Sequence, residues 1–394
     1  MRVCSKLILY GLIFLIFIVS FFSRYINYYQ AISILSVPFC FALTQGLNIG
    51  IGKRWYFYFF AITTTGLLGL NLGESIKFIF LFISITVLSG AAKNVNNYRD
   101  IMMKWFFWLS VLHTIVVLLQ YFMPNTINPI IAVMVSGEVA ERAIQANLLN
   151  GVCTGFAGEA SFAMLYTSIT FFLGFLYYLV ENKKIYLIFV IVGLICTLLT
   201  AKRIAIAINV LAVVSGYVLL VKSKRIKQKN SLFSILFLLF VGIAVLSYTN
   251  LAEMFTQKNE MLLESGDLSN GRAELNAKMI QIFQDHMILG IGPYCTTQYT
   301  GEYLGHNIYL TTLSECGILG FIALVVLLLL NFKDTLLRFL KGDNSIYMYT
   351  SLYIQLFFII YGFTGNPLYG TQFLATYILF AINENRSRYI PSCK

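Results

Sequence analysis

Twelve stretches of roughly 16 to 24 residues, nearly free of charge, recur from one end of this chain to the other, and each is about as long as a bilayer's hydrocarbon core requires. In lipid, only helices or closed barrels satisfy every backbone N–H and C=O. The runs are continuously apolar and lack the two-residue alternation of a barrel strand, so the barrel is excluded. The expected fold is all-α and polytopic, with spans at 7–22, 31–50, 55–70, 75–91, 105–123, 159–180, 185–200, 203–221, 232–249, 308–330, 347–362 and 366–382. Apolar residues make up 58% of the chain and charged residues 11%, the balance of a membrane protein. Arg2 and Lys6 precede the first run as in a signal peptide, but bulky Phe21-Phe22-Ser23-Arg24-Tyr25 offers no cleavage site, and the run reads as a retained anchor. No fixed-period repeat or Gly/Pro-rich linker divides residues 1–394, which read as a single integral membrane domain.

Orientation follows from the cations. With the N-terminus in the cytoplasm, 8 of the 28 Lys and Arg residues fall outside or at outer helix ends: Arg24, Lys77, Arg142, Lys202, Arg203, Lys258, Arg272 and Lys278. The rest fall inside, which places both termini in the cytoplasm. The net charge of +11 is then mainly a topology signal and does not imply nucleic acid. Basic residues on the outer side run against that rule and mark where function is to be sought. The seven cysteines have no metal-ligand spacing; Cys153 and Cys295 are the two expected to face an oxidising exterior, where a bridge between them is one reading.

The longest polar interruption runs from Asn250 to the span at 308, and residues 250–307 form the expected catalytic loop, between the ninth and tenth spans. Within it Leu275, Met279, Ile282, Phe283 and His286 recur at helical spacing, predicting an amphipathic helix over 271–286 that lies on the membrane surface. Arg272 and Glu274 fall in its first turn, where unpaired N–H groups favour an anion; an arginine on a solvated helix is the plainer reading. Gly290 and Gly292-Pro293 turn the chain back over the bundle. His306 closes the loop and would suit proton transfer, with an ordinary pKa near 6.5. Glu315, about 13 Å further along the helix axis, is either membrane-embedded or at a cavity wall, and needs a partner. Lys202-Arg203 joins two spans so tightly that both cations must lie at the outer surface, holding a phosphate or snorkelling to headgroups. Glu159, in an outer loop running from Pro124 to Gly158 and into the next span, either answers a helix dipole or holds a sugar hydroxyl. His113, among apolar residues, reads as a packing histidine.

Three motifs of the large loop carry a family resemblance: Asn270-Gly271-Arg272-Ala273-Glu274-Leu275, Asp285-His286-Met287-Ile288-Leu289-Gly290-Ile291-Gly292, and His306-Asn307-Ile308-Tyr309-Leu310 with Glu315-Cys316-Gly317-Ile318-Leu319-Gly320. In order, spacing and position they resemble the superfamily of O-antigen polymerases and O-antigen ligases of the bacterial envelope. Thr200-Ala201-Lys202-Arg203 looks like that family's arginine at the start of a span, and Gly158-Glu159-Ala160-Ser161-Phe162-Ala163 like its outer acidic segment. Departures are Asn276 in place of a frequent Trp, Met287 in place of Pro, Lys202 in place of Ser and Ala160 in place of Pro. The resemblance implies a GT-C-like membrane fold and a metal- and cofactor-independent glycosyltransferase. Its donor would be an undecaprenyl-diphosphate-linked oligosaccharide, used at the periplasmic face of the inner membrane. A flippase and a chain-length regulator of the same pathway are the implied partners, beside membrane lipids. His306, Arg272 and Arg203 are the expected catalytic residues, with Glu159, Lys202, Asn307, Tyr309, Glu315 and Lys278 around the substrate. Polymerase is favoured over ligase on the Phe-, Ile-, Tyr- and Asn-rich composition; a lipid-linked oligosaccharide flippase is the non-enzymatic alternative.

Overall fold

The computed structural model describes residues 2–22, 25, 28–44, 51–222, 272–301, 306–343 and 345–382. Among these residues every regular element is helical. In chain order they are α1 (Arg2–Phe21), α2 (Tyr28–Thr44), α3 (Lys53–Leu67), α4 (Leu72–Ala92), α5 (Tyr98–Phe122), α6 (Pro124–Met134), α7 (Gly137–Asn150), a 3-10 turn (Gly155–Ala157), α8 (Ala160–Glu181), α9 (Ile185–Leu199), α10 (Arg203–Lys222), α11 (Arg272–Asp285), α12 (Thr296–Thr300), α13 (Ile308–Leu340), α14 (Ile346–Tyr361) and α15 (Thr371–Ala381). Five stretches, Cys4–Phe21, Leu72–Ala92, Tyr98–Phe122, Ala160–Glu181 and Ile308–Leu340, are long and apolar enough to cross a membrane, and α9, α10, α14 and α15 supply shorter apolar helices. This is a multi-pass membrane protein. The expected ninth span, 232–249, and the start of the large loop, Asn250 to Gly271, lie outside the described residues.

The bundle core is built by α8 against α5 and α9, and by α13 against α3. Aromatic rings fill it: Tyr98, Phe106, Tyr166, Phe175 and Phe357 are all fully buried. His113 belongs to this packing, as its setting in the sequence predicts. It stacks 4.0 Å from the ring of Tyr166 and lies 3.9 Å from Phe21, and neither ring nitrogen has a partner among the described residues.

The segment from Pro124 to Gly158, expected as a loop, instead forms α6, α7 and the 3-10 turn. Pro124 opens α6 at a position where a missing N–H is harmless, and Gly151, at φ 64°, closes α7. Asn128, Asn147 and Thr154 turn inward, where Gln120 of α5 meets them. Gln120 donates to Asn128 at 3.0 Å, Asn128 donates to Asn147 at 3.0 Å, and the Gln120 carbonyl accepts from the N–H groups of Thr154 and Gly155 at 2.9 and 2.8 Å. Cys153 accepts from Asn147 at 3.4 Å. Cys153 and Cys295 are both free and buried in separate clusters, so the bridge considered between them is not made. Burial raises the Cys153 thiol pKa to about 12, keeping it protonated at neutral pH.

α11 covers the predicted amphipathic segment almost residue for residue. Its apolar face is the expected one: Met279 and Ile282 are buried with Ile291 and Cys295, and Leu275 and Leu310 pack alongside. The face is laid on α13, where Thr311 donates to the Met279 sulfur at 3.5 Å.

α13 is broken at Gly317, with φ 59° and ψ −165°. The break frees backbone groups that hydrocarbon cannot satisfy, and residues 287–292 satisfy them. Ile318 N–H donates to Met287 O at 2.9 Å and Leu319 N–H to Ile288 O at 3.4 Å; in return Ile291 and Gly292 N–H donate to Ser314 O and Glu315 O at 3.2 and 2.8 Å. The backbones approach so closely that a Cβ on Gly317 would stand 2.3 Å from the Ile288 carbonyl, and one on Gly290 2.3 Å from the Glu315 carbonyl carbon. Both glycines also have positive φ, so a side chain at either would be strained as well as blocked.

Candidate functional site

The loops read as outer from the sequence meet at one end of the bundle and enclose a cavity of about 830 Å³. That volume lies within the roughly 300–1,000 Å³ typical of small-molecule sites. Arg142 on α7, Glu159 before α8, Lys202 before α10, Arg272 at the start of α11 and His306 before α13 all line it. Among the described lining residues three cations therefore face one carboxylate, a balance that favours an anionic ligand.

Each charged group has a local reason for its place. Arg272 is the first residue of α11, where backbone N–H groups are unpaired. Lys202 follows Ala201, whose φ of 54° turns the chain between α9 and α10. Glu159 is the N-cap residue of α8 but makes no side-chain bond to the first-turn N–H groups. Direct capping is therefore not its role here, and its exposed carboxylate borders the cavity.

His306 is held by its neighbour. The Asn307 side chain accepts from the N–H of Tyr309 at 3.0 Å and of Leu310 at 3.2 Å, capping α13. Ile308 N–H is bound by Gly362 O at 2.9 Å and Gly365 O at 3.2 Å, which docks the mouth of α13 on the α14–α15 turn. His306 is partly buried, and its pKa is lowered, first by desolvation and then by the charges of Arg272 and Lys202. A lowered pKa leaves the imidazole neutral at pH 7, with one ring nitrogen able to accept a proton.

Five of the expected site residues, Arg203 from the catalytic set and four from around the substrate, do not line this cavity. Arg203, the first residue of α10, is exposed and is absent from the wall that Lys202 joins. Lys278 pairs with Glu274 at 3.1 Å along the surface of α11. Asn307 acts as the cap of α13. Tyr309 donates to Ile359 O at 2.8 Å, with its ring 4.5 Å from Phe363. Glu315 is fully buried: its carboxylate accepts from Tyr294 N–H at 2.9 Å, Thr296 N–H at 3.1 Å and the Thr296 hydroxyl at 2.7 Å. It is a latch that ties the 294–296 segment to α13 and sends Tyr294 into the cavity wall. His286 stands outside the cavity, edge-on to Tyr299.

Other lining residues were not singled out from the sequence. Phe162, Tyr294, Tyr361, Tyr369 and Phe373 form an aromatic wall, with rings 5.1 Å apart for Tyr361 and Phe373 and 4.8 Å apart for Tyr294 and Tyr369. Aromatics abound in every span, so nothing local marks these five; Arg142 was marked only as a cation on the outer side. A second cavity of about 340 Å³, between α8, α10, α13 and α14, carries no charged side chain. Among the described residues no group of three His, Cys, Asp or Glu side chains is arranged to hold a metal ion.

No curated protein matches the chain. The family model described as O-Antigen ligase matches residues 187–325, from α9 through the break in α13. That stretch contains Lys202, Arg272 and His306, so the segment that carries three of the cavity's charged or titratable residues is similar to that family.

Proposed function

We propose that the protein is a glycosyltransferase that joins undecaprenyl-diphosphate-linked oligosaccharide units into surface polysaccharide, working from the periplasmic face of the bacterial inner membrane. The observation that carries this reading is the cavity itself, where Lys202, Arg272 and Arg142 gather beside a histidine whose pKa is lowered. In the step proposed, the bond from the anomeric carbon to the diphosphate oxygen breaks and its electron pair leaves with the diphosphate. The acceptor hydroxyl forms the new glycosidic bond and gives its proton to His306. Lys202 and Arg272 neutralise charge as it accumulates on the leaving diphosphate, where the guanidinium can bind two oxygens at once. The same cations make the protonated imidazole unfavourable, so His306 is ready to pass the proton on. Glu159, which lines the cavity, holds a sugar hydroxyl in this reading.

The acceptor separates two readings. The chain's composition, rich in Phe, Ile, Tyr and Asn with 34 Phe and 25 Tyr, supports a polymerase, which hands the growing chain to another lipid-linked unit. The alternative is a ligase, the enzyme that the description of the matched family model names, which hands polymer to lipid A-core. Lipopolysaccharide from a deletion strain tests both. A single repeat unit on the core is the result expected for the polymerase. Bare core, with polymer retained on undecaprenyl diphosphate, makes it a ligase. Normal chains from the deletion strain sink both readings.

A further inference from the structure

Asn366, on the turn between α14 and α15, lines the cavity, yet neither its amide nitrogen nor its amide oxygen has a hydrogen-bond partner among the described residues. Both atoms are buried, and buried amides are normally paired because an unmade hydrogen bond there is destabilising. Its place is rigidly specified. The turn is tied to Ile308 by the bonds from Gly362 and Gly365, so Asn366 is anchored to the same backbone that carries His306. Around it stand Tyr361, Tyr369 and Phe373, with Phe162 5.4 Å from Phe373. The charged side chains come from other elements: α7, the starts of α8, α10 and α11, and the loop before α13.

Such a wall differs chemically from the cationic one. An amide offers a donor and an acceptor, which a sugar hydroxyl matches with an acceptor and a donor; a phosphate offers acceptors only. Aromatic faces suit the C–H face of a pyranose and contribute nothing toward a dianion. We propose that Asn366 is a glycan-recognition residue: its amide pairs with a hydroxyl of the sugar attached to the diphosphate, against the aromatic wall. The assignment rests on the glycosyl-transfer reading above and divides the cavity into a diphosphate side and a sugar side. Specificity follows, because a site holding a buried amide rejects a sugar that lacks the matching hydroxyl.

Binding of two lipids to the purified full-length protein in detergent tests it: undecaprenyl diphosphate alone, and undecaprenyl diphosphate carrying one repeat unit from the parent strain. Wild type should bind the glycan-bearing lipid more tightly. Asn366→Leu should lose roughly tenfold in affinity for that lipid, the value of one well-placed hydrogen bond, and nothing for the bare lipid. Its unfolding temperature should equal or exceed that of wild type, because leucine fills similar space without an unpaired amide. Arg272→Ala should weaken both lipids. Equal losses for both lipids with a lowered unfolding temperature would make Asn366 structural and overturn the assignment. So would unchanged binding by Asn366→Leu, or a wild type that does not distinguish the two lipids. Wild type that binds neither lipid sinks the glycosyl-transfer reading, and the sugar side with it.

Discussion

The two ends of the bundle use their cations in opposite ways. At the end that the positive-inside pattern places in the cytoplasm, Arg54 pairs with Asp334 at 2.7 Å and also donates to Leu330 O. There Arg99 grips Asp343 with both terminal nitrogens, at 2.8 and 3.0 Å, while Ser345 donates to the same carboxylate and the Tyr347 ring lies 5.4 Å from the guanidinium. At the other end, Arg142, Lys202 and Arg272 share a cavity wall in which Glu159 is the one carboxylate among the described residues. Matched charges hold helices together and leave nothing for a ligand. Cations gathered in excess around a space raise the potential there and invite an anion. The local chemistry of an arginine is the same in both places; the count of nearby carboxylates decides its role.

The sharpest way to break this contrast is at His306. His306→Ala should reduce polymer formation by roughly 10²- to 10⁴-fold at unchanged protein abundance, the range for losing a positioned general base. His286→Ala and His113→Ala should retain activity, since neither lines the cavity. Near-normal chains from His306→Ala would move the proton transfer to Glu159. The pH profile adds a second reading. The pKa of His306 is lowered, so its neutral form persists below the ordinary histidine value. The acid limb of the rate should therefore lie below pH about 6.5 and move upward in Arg272→Gln, where one of the depressing charges is gone. An acid limb that does not respond to Arg272 would separate the two groups.

Next in size come the cations. With purified lipid-linked units, Arg272→Lys and Lys202→Ala should each slow turnover by roughly ten- to a hundredfold, the value of one charge-assisted hydrogen bond in the transition state. Arg203→Lys should be nearly silent, because Arg203 is exposed and off the cavity wall. A rate that falls more for Arg203→Lys than for Lys202→Ala would reverse the assignment. The smallest catalytic effect is expected at the opposite end. Arg99→Ala should leave turnover within about twofold while lowering stability by about 1–2 kcal/mol, since it strands a partly buried carboxylate. Lost turnover in a stable Arg99→Ala protein would show that the two ends are coupled.

Much of this was legible in the sequence. Helices follow from apolar runs because hydrocarbon admits no other open backbone, and 3.6-residue spacing pointed to Met279 and Ile282 as the buried face of α11. Helices α6 and α7 were not legible, because their buried faces mix Ile127, Ile131, Ala140 and Ala143 with Asn128 and Asn147, which look like loop residues until Gln120 meets them from α5. Nor did the motifs separate chemistry from architecture. His306 and Arg272 line the cavity, whereas Gly290, Glu315 and Gly317, written into the same motifs, knit the returning loop to a broken helix.

By itself the sequence determined the membrane class, the main apolar helices and the buried face of α11, and it pointed to a family resemblance, because composition and spacing along the chain carry each of these. Only the tertiary structure decided that Lys202 rather than its neighbour Arg203 borders the cavity, that Glu315 is spent on backbone N–H groups, and that Asn366 lines the same cavity as His306. Adjacent residues share one local sequence yet point in different directions, and residues far apart in the chain come together through backbone bonds such as Ile308 to Gly362 and Gly365. Direction and long-range proximity are set by packing, and a linear pattern contains neither.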